Sequence, residues 1–397
     1  FFDVLDDESR VLRQLGARFI SSAEAFGFRE VRTASVEVRD RYLAATSVHP
    51  SRIFEVHRPK EGSRFVLQAD LAMGMSRFIA DLPSAPPLKL AQVSSLFRDR
   101  QPDRPGHRRQ FEMAVLGTWG LRDPYADAEI LAAAHDMLEN VPGLAVTSVQ
   151  FGNPQVFARL APGLAQDIRF TGQDIGTLLA ATSLDPGDRE LLTDLYTRGR
   201  IPLDEFRAQS AGFEDPRVRE EVAVLLATAC ATARALPDTD LHICLSELHG
   251  TGHYSGVTYQ VFITAPDRLE PFSIADGGRI DQLCKALGGP DVPAACLGVG
   301  LTVLAGLLPP QVQERKVVLL FDDADAPYGV AGDIRARLRE TGVHSTMMPL
   351  PRRKWPTVLK SQFYADHGFV LIEADRVTIR HADLDERQAL TELLTKE

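Results

Sequence analysis

The sequence predicts an α+β fold: an antiparallel sheet flanked by helices, followed by a small α/β domain. Apolar alternation over residues 88–93 and an apolar run that returns from Phe111 indicate two antiparallel strands. A long loop rich in Pro, Gly and Arg joins them. From Lys316 onward strands alternate with helices, which is the pattern of a small α/β domain. A chain of 397 residues is long enough for two or three domains.

Composition and charge narrow the class of protein. Hydrophobic residues make up 44% of the chain and charged residues 25%, as in ordinary globular proteins. The net charge of −10 argues against a general nucleic-acid binder, although a local basic patch can still bind phosphates. No C-x-x-C spacing is present, so we interpret the cysteines as buried thiols of a reduced, cytoplasmic protein and predict no metal site. No apolar run is long enough to span a bilayer, so no membrane association is expected.

The N-terminal region predicts a helix and then a strand. Apolar residues recur at helical spacing over residues 7–26, and residues 28–38 alternate as in a strand. An amphipathic helix that docks on a sheet would have the same pattern. We favour a homodimer that uses this region, because two-fold homodimers are the commonest oligomers.

The run over residues 53–70 predicts a β-hairpin with its turn at Glu61 and Gly62. It ends at Asp70, directly before an apolar helix over residues 71–79. Asp70 has two interpretations of equal weight. It is either the N-cap of that helix or a carboxylate that holds a ligand.

Arginines cluster in and beside the loop of the central hairpin. They are Arg98, Arg100, Arg104, Arg108, Arg109 and Arg122. In an acidic chain this local excess calls for an explanation, and an arginine fork on a strand with a basic loop behind it suits a bound phosphate. Phe111, at the start of the return strand, could offer its ring face to a base.

The middle of the chain predicts a helix over residues 124–138 and a short strand over 146–151. Asp127, in the first turns of that helix, is interpreted as favouring the helix dipole. Residues 164–238 predict a helical insertion, and residues 241–264 a hairpin with a Gly/His-rich bend. In the last part of the chain we predict strands over 317–321, 343–348, 369–372 and 377–380, and helices over 330–341 and 355–367.

The central hairpin resembles motif 2 of class II aminoacyl-tRNA synthetases, specifically of the histidyl-tRNA synthetase branch. The matching residues are Phe97-Arg98-Asp99-Arg100 and Arg109-Gln110-Phe111. In that family the first arginine holds the α-phosphate of ATP and the phenylalanine stacks on adenine. The resemblance therefore implies nucleotide binding by Arg98, Arg109 and Phe111. The family's acidic residue two places after the first arginine is Arg100 here.

Two later blocks resemble histidyl-specific sequences. Gly250, Tyr254, Ser255 and Gly256 fit the first, whose catalytic arginine is replaced by His249. Gly277, Gly278, Arg279 and Asp281 fit the second. The resemblance implies catalytic roles for Arg98 and His249, although a histidine is mostly neutral at pH 7. It implies ligand binding by Asp70, Tyr254, Gly277, Gly278 and Arg279. Arg279 and Asp281 could instead form a structural pair.

Several positions depart from the family. Val303 replaces the motif 3 arginine that clamps the γ-phosphate, and such a loss typically costs about 3 kcal/mol in the transition state. The family's α-ammonium-binding Glu and Thr correspond to Asp70 and Ala72. Met113 stands near a ligand-reading Gln. The pair Ala69-Asp70 matches what the regulatory subunit of ATP phosphoribosyltransferase, a histidyl-tRNA synthetase paralog, typically has there.

The resemblance implies a class II synthetase-like core in two parts, residues 1–163 and 239–308, with the insertion at 164–238 and an anticodon-binding-like α/β domain at 316–397. The first hypothesis is a regulatory subunit that binds a small-molecule ligand, an amino acid of unspecified identity, and a partner enzyme, the short-form ATP phosphoribosyltransferase. The second is a ligase that adenylates a carboxylate, using ATP with Mg²⁺; otherwise no cofactor is expected. An ordinary histidyl-tRNA synthetase ranks third, and tRNA binding is left open.

Overall fold

The chain divides into two compact units, residues 1–309 and 310–397, in a computed structural model. The structure describes residues 3–4, 6–46, 48–57, 64–83, 87–99, 110–160, 175–246, 254–266, 268–308, 316–322, 328–364, 367–373 and 376–380. Among the helices in these ranges, none combines the length and hydrophobicity needed to span a lipid bilayer.

The first unit packs helices on both faces of a large sheet. Its helices are α1 (Asp6–Ala25), α2 (Arg39–Ala45), α3 (Leu71–Ala80), α4 (Pro124–Glu139), α5 (Gln155–Ala158), α6 (Ile175–Ala180), α7 (Pro186–Arg198), α8 (Leu203–Ser210), α9 (Pro216–Ala235), α10 (Leu283–Ala286) and α11 (Leu301–Leu307). Its strands are β1 (Arg29–Glu30), β2 (Val36–Val38), β3 (Glu55–His57), β4 (Arg64–Leu67), β5 (Leu88–Phe97), β6 (Gln110–Trp119), β7 (Ala145–Gly152), β8 (Arg200–Pro202), β9 (Asp240–Cys244), β10 (Thr258–Ala265), β11 (Arg268–Arg279) and β12 (Ala294–Val299).

The large sheet has the strand order β1-β5-β6-β12-β11-β10-β7-β9-β8. From β5 to β7 every neighbouring pair is antiparallel, whereas β1 joins β5 and β9 joins β7 in parallel. Strands β2, β4 and β3 form a separate small antiparallel sheet. The predicted class, a largely antiparallel sheet flanked by helices, is confirmed.

The central strands alternate between two cores, because successive side chains of a strand point to opposite faces. Ala114 and Leu116 of β6 pack into the core that contains α1, α4 and α9. Val115 and Trp119 pack into a second core with Leu71 of α3. The second face carries Phe111 and Tyr254, which pack against this core, so α3 is the helix that bounds the site.

Asp-Pro pairs start three helices of this unit, α4, α7 and α9. The capping carboxylates of Asp123, Asp185 and Asp215 each accept a hydrogen bond from a first-turn backbone N–H. The proline that follows lacks an N–H that would otherwise be unsatisfied, which suits the first helical position. The signal at Asp123-Pro124 is why the start of α4 was predicted from the sequence.

Two sequence predictions about strands were wrong. The run over 28–38 is not one strand, because β1 joins the large sheet and β2 joins the small one. The run over 241–264 is not a hairpin, because β7 lies between β9 and β10 and pairs with both. Alternation indicates that a segment is a strand, but it does not identify the neighbouring strand.

The predicted insertion contains a strand as well as helices. Gly199, with a positive φ of 70°, follows α7, and β8 comes directly after it. Ile201 of β8 is 1% exposed and pairs with Ile243 of β9. This burial attaches the insertion to the edge of the large sheet.

The second unit is a small α/β domain, as predicted. Its strands are β13 (Lys316–Phe321), β14 (His344–Pro349), β15 (Gly368–Ile372) and β16 (Val377–Arg380), and its helices are α12 (Tyr328–Glu340) and α13 (Trp355–Leu359). The order is β14-β13-β15-β16, with only β16 antiparallel to its neighbour. Helix α13 is shorter than the predicted 355–367, and a 3₁₀ turn at Gln362–Tyr364 follows it.

Candidate functional site

Arg98 lies directly after β5 and makes three contacts that define the site. Its Nε donates to the carbonyl oxygen of Ala69, and its Nη2 lies 3.9 Å from Asp70 Oδ2. The guanidinium carbon lies 5.9 Å from the centroid of the Phe111 ring, within cation–π range. The predicted residues Arg98, Asp70 and Phe111 therefore come together, with the first two about three-quarters buried.

Asp70 has two roles in the structure. Its Oδ1 accepts a 2.8 Å hydrogen bond from the Ala72 N–H, so Asp70 is the N-cap of α3. Its Oδ2 is oriented towards Arg98. The N-cap interpretation is confirmed. Because the second oxygen faces the site, the ligand-binding interpretation stays a prediction that the cap does not exclude.

Tyr42 supports this corner from beneath and was missed in the sequence. Its hydroxyl oxygen accepts a 2.9 Å hydrogen bond from the N–H of Ala69, the residue whose carbonyl binds Arg98. Burial, and secondarily the charge of Asp70, raises the pKa of Tyr42. The phenol therefore stays neutral at physiological pH. Nothing in the local sequence of α2 marks it as a site residue.

Tyr254 packs against the same apolar core as Phe111, and Asp276 lies on β11 two residues before Gly278. Tyr254 packs against the backbone of Gly278, since a methyl group at Gly278 would approach its Cδ1 to 3.0 Å. Burial raises the pKa of Tyr254 well above its usual value, and Asp276 and Asp70 add to the effect. Its hydroxyl is thus a neutral donor near two carboxylates. Asp276 was not predicted, although its position next to Gly277 and the alternation of β11 could have indicated it.

Gly277 and Gly278 are required by the packing of neighbouring strands. A Cβ at Gly277 would lie 2.1 Å from the Cys296 carbonyl oxygen, and one at Gly278 would lie 2.6 Å from the Val257 carbonyl oxygen. Strand β11 is inserted between β10 and β12 at this point. The sheet alone accounts for both glycines, and their approach to a ligand stays a prediction.

Arg279 is used inside the protein. Its guanidinium donates to the Asp127 carboxylate and to the carbonyl oxygens of Leu121, Arg122 and Asp123. The alternative pairing of Arg279 with Asp281 was wrong, because Asp281 instead accepts from the Ala294 N–H at 2.7 Å. Asp127 is fully buried and neutralises this arginine, which is a more specific role than interaction with the helix dipole. A ligand-binding role for Arg279 stays a prediction.

Helix α11 occupies the place of motif 3 and carries no charged side chain. Val303 is 53% exposed on its first turn. The neighbouring Thr302 accepts a 2.8 Å hydrogen bond from the Glu112 N–H, which fixes the helix start against β6. Arg98 and Phe111 fit one phosphate and a base, but this helix supplies no cation for further phosphates. The described residues therefore do not fit a complete ATP site.

Some predicted residues cannot be placed. Arg109 and His249 lie outside the residues that the structure describes, as do Arg100, Gly250 and the predicted turn at Glu61 and Gly62. Within the described ranges, no group of three or more His, Cys, Asp or Glu side chains is arranged to hold a metal ion.

Comparisons with known proteins agree on one family. A family model described as Histidyl-tRNA synthetase matches residues 1–304. A histidine–tRNA ligase of Pyrobaculum neutrophilum is 24% identical over 413 residues, covering 97% of this chain and 94% of that protein. An ATP phosphoribosyltransferase regulatory subunit of Desulforamulus reducens is 26% identical over 341 residues, covering 81% of this chain and 82% of that protein.

The solved structures show the same fold. A chain from Bacillus halodurans, described as an ATP phosphoribosyltransferase regulatory subunit/histidyl-tRNA synthetase, matches with a TM-score of 0.73 at 16% identity, covering 94% of this chain and 96% of that one. A histidyl-tRNA synthetase from Nostoc matches with a TM-score of 0.66 at 19% identity, covering 99% and 97%. The fold is thus of the class II synthetase type. Because the family model spans residues 1–304 of 397, the protein belongs to the histidyl-tRNA synthetase family.

Proposed function

We propose that this protein is a ligand-binding regulatory subunit of the ATP phosphoribosyltransferase type, a histidyl-tRNA synthetase paralog that has lost ordinary aminoacylation. The observation that carries the proposal is Val303. It stands exposed on an uncharged helix, at the position where the family has its γ-phosphate arginine. Without that charge the leaving pyrophosphate loses a major source of stabilisation.

The state of Arg98 supports the same proposal. Its guanidinium is shared between the Ala69 carbonyl, the Asp70 carboxylate and the Phe111 ring. A carboxylate at 3.9 Å partly neutralises the positive charge that a triphosphate would require. The arrangement favours a small ligand that carries both charges over a polyanion.

Apolar substitutions around the site point the same way. Ile280, where the resembling histidyl block usually has Tyr, belongs to the apolar core under α3. Met113 packs against that core, and Ala72 is 3% exposed in it. These apolar side chains stand where the family has polar or aromatic groups that recognise its amino acid. Relatives named as regulatory subunits, including one from Verminephrobacter eiseniae at 25% identity, add support.

The proposal extends to partners. The protein would assemble as a homodimer in the cytoplasm and bind a short-form ATP phosphoribosyltransferase. Its ligand would be an amino acid held between Asp70, Arg98 and Tyr254. These assignments follow from the regulatory type and share its test.

The alternative is an active ligase that adenylates an amino acid or another carboxylate, with tRNA or another acceptor. One observation favours it: Arg98 and Phe111 keep the relative placement suited to a phosphate and a base. The match to a histidine–tRNA ligase over 97% of the chain, including the C-terminal domain, also supports this alternative.

Two assays on the purified full chain separate these functions. ATP–pyrophosphate exchange, screened over the amino acids, should show no turnover. Addition of the protein to the short-form ATP phosphoribosyltransferase of the same genome should change that enzyme's rate or its response to an amino acid. Exchange with any carboxylate would overturn the regulatory proposal and establish the ligase. An unchanged phosphoribosyltransferase would contradict the assigned partner.

A further inference from the structure

The floor of the site is built from small residues that are each covered by a large side chain. On the face that packs on α3, Gly117 of β6 pairs with Cys296 of β12, and Cys296 pairs with Gly278 of β11. In the next row of the same face Val115 pairs with Gly298, and Gly298 with Asp276. Three glycines at these positions would otherwise leave a deep hollow beneath the site.

Trp119 fills the hollow above Gly117. A Cβ at Gly117 would lie 2.5 Å and 2.8 Å from two carbons of the Trp119 ring. The indole is fully buried, and its Nε1–H donates to Ser76 Oγ of α3 at 3.2 Å. The indole N–H is fixed by this hydrogen bond and the six-membered ring packs over Gly117, so the ring cannot move aside without losing a buried hydrogen bond.

Met113 and Tyr254 fill the hollow above the other two glycines. A Cβ at Gly298 would lie 2.3 Å from the Met113 methyl carbon, and one at Gly278 would lie 3.0 Å from Tyr254 Cδ1. Both side chains are half-buried and pack on the core beneath α3. The two residues therefore close the hollow from above and leave only the rim.

The rim carries groups of opposite charge. The carboxylate of Asp70 lies 3.9 Å from the guanidinium of Arg98, and the exposed Asp276 of β11 adds a second carboxylate. An ammonium group suits the carboxylates and a carboxylate suits the guanidinium. Rim charges that match a zwitterion, above a floor that is already filled, point to an α-amino acid with little side chain.

Resting on the proposed ligand-binding function, we infer that this site takes a small α-amino acid of the glycine and alanine size class and excludes larger ones such as histidine and leucine. Met113 and Trp119 are the residues that determine this specificity. An added side chain has to displace a packed methionine or a hydrogen-bonded indole, and overpacking of this kind is unfavourable.

Calorimetric titration of the purified full chain with glycine, alanine, leucine and histidine tests the inference. Glycine or alanine should bind at least about tenfold more tightly than leucine and histidine. Equal or tighter binding of histidine overturns the inference while leaving the partner-enzyme assay as a separate test of the proposed function. Binding of none of the four also overturns it.

A variant supplies an independent check of the size limit. Met113→Ala removes the half-buried side chain above Gly298 and should improve leucine or histidine binding by about tenfold relative to alanine. Met347→Ala, which shortens a half-buried methionine in the second unit, is the matched control and should leave all four affinities unchanged. A preference for small ligands that survives in Met113→Ala would contradict the role of this methionine.

Discussion

Arg279 and Asp127 form a buried ion pair that ties the end of strand β11 to the first turn of helix α4. Asp127 is fully buried and Arg279 is 9% exposed. The guanidinium also binds three carbonyl oxygens just before or within the helix start. This pair holds Gly277 and Gly278, and with them the floor of the site, against the core that contains α4.

Replacement of one partner should be strongly destabilising. Arg279→Met leaves the Asp127 carboxylate buried without its counter-charge and should lower the free energy of unfolding by about 3–5 kcal/mol. The double variant Arg279→Met/Asp127→Leu should recover much of that loss. Urea denaturation of both variants measures the difference.

The control for this pair is Lys285→Met. Lys285 lies 3.6 Å from Asp291, and both side chains are more than half exposed. An exposed pair of this kind contributes about 1 kcal/mol or less. If the double variant were as unstable as the single one, the loss would come from packing and hydrogen bonds rather than from an unpaired charge.

Tyr42→Phe should weaken both stability and ligand binding. It removes the acceptor of the Ala69 N–H, and leaving a buried donor unsatisfied costs about 1–3 kcal/mol. The same peptide presents the carbonyl to Arg98, so a shift there also displaces the guanidinium from its position beside Asp70. Thermal unfolding and ligand titration report the two effects. Tyr328→Phe, at a tyrosine that is 60% exposed, should change neither.

The sequence predicted the parts of this fold that local physics specifies. Asp123 before Pro124 marks a helix start by capping chemistry, and the alternation around Leu90 and Val115 marks strands with two distinct faces. Strand neighbours depend on long-range pairing. No local signal indicates that β7 separates β9 from β10.

The site was predicted to a lesser extent, for a related reason. Motif resemblance brought Asp70, Arg98 and Phe111 together correctly, because all three adjoin secondary structure that the sequence marks clearly. The sequence suggested Asp281 instead of Asp127 as the internal partner of Arg279, and it gave no indication of Tyr42. Both make their contacts with residues that are distant along the chain, and only the folded structure shows these contacts.

His135 should make the protein sensitive to mild acid. Burial lowers its pKa below the usual value, with Glu139 and Asp136 opposing, and its Nε2 lies 3.1 Å from Thr239 Oγ1. Because the folded state takes up the proton less readily than the unfolded one, this stability is present above about pH 6.5 and is lost as pH falls through the lower folded-state pKa.

The variant His135→Gln removes that linkage. Its free energy of unfolding should fall less than that of the wild type between about pH 7.5 and about pH 5. Urea denaturation at these two pH values measures the difference. His344→Gln, at an exposed histidine of the second unit, serves as the control. An unchanged pH slope in His135→Gln would assign the acid sensitivity to other groups.

Val303→Arg should restore a cation to α11 at little structural cost. The valine is 53% exposed, and exposed helix positions usually tolerate substitution within about 0.5 kcal/mol. An added guanidinium at the position where the family has its γ-phosphate arginine should bind a phosphate and tighten ATP binding by about tenfold. Val224→Arg, at a valine of α9 that is 46% exposed, adds the same charge elsewhere and should leave the affinity for ATP unchanged.

Equal ATP affinities in the two variants would mean that the missing arginine does not explain the loss of nucleotide chemistry. Tighter binding without ATP–pyrophosphate exchange would instead assign the remaining deficit to the position of His249, where the family has its catalytic arginine.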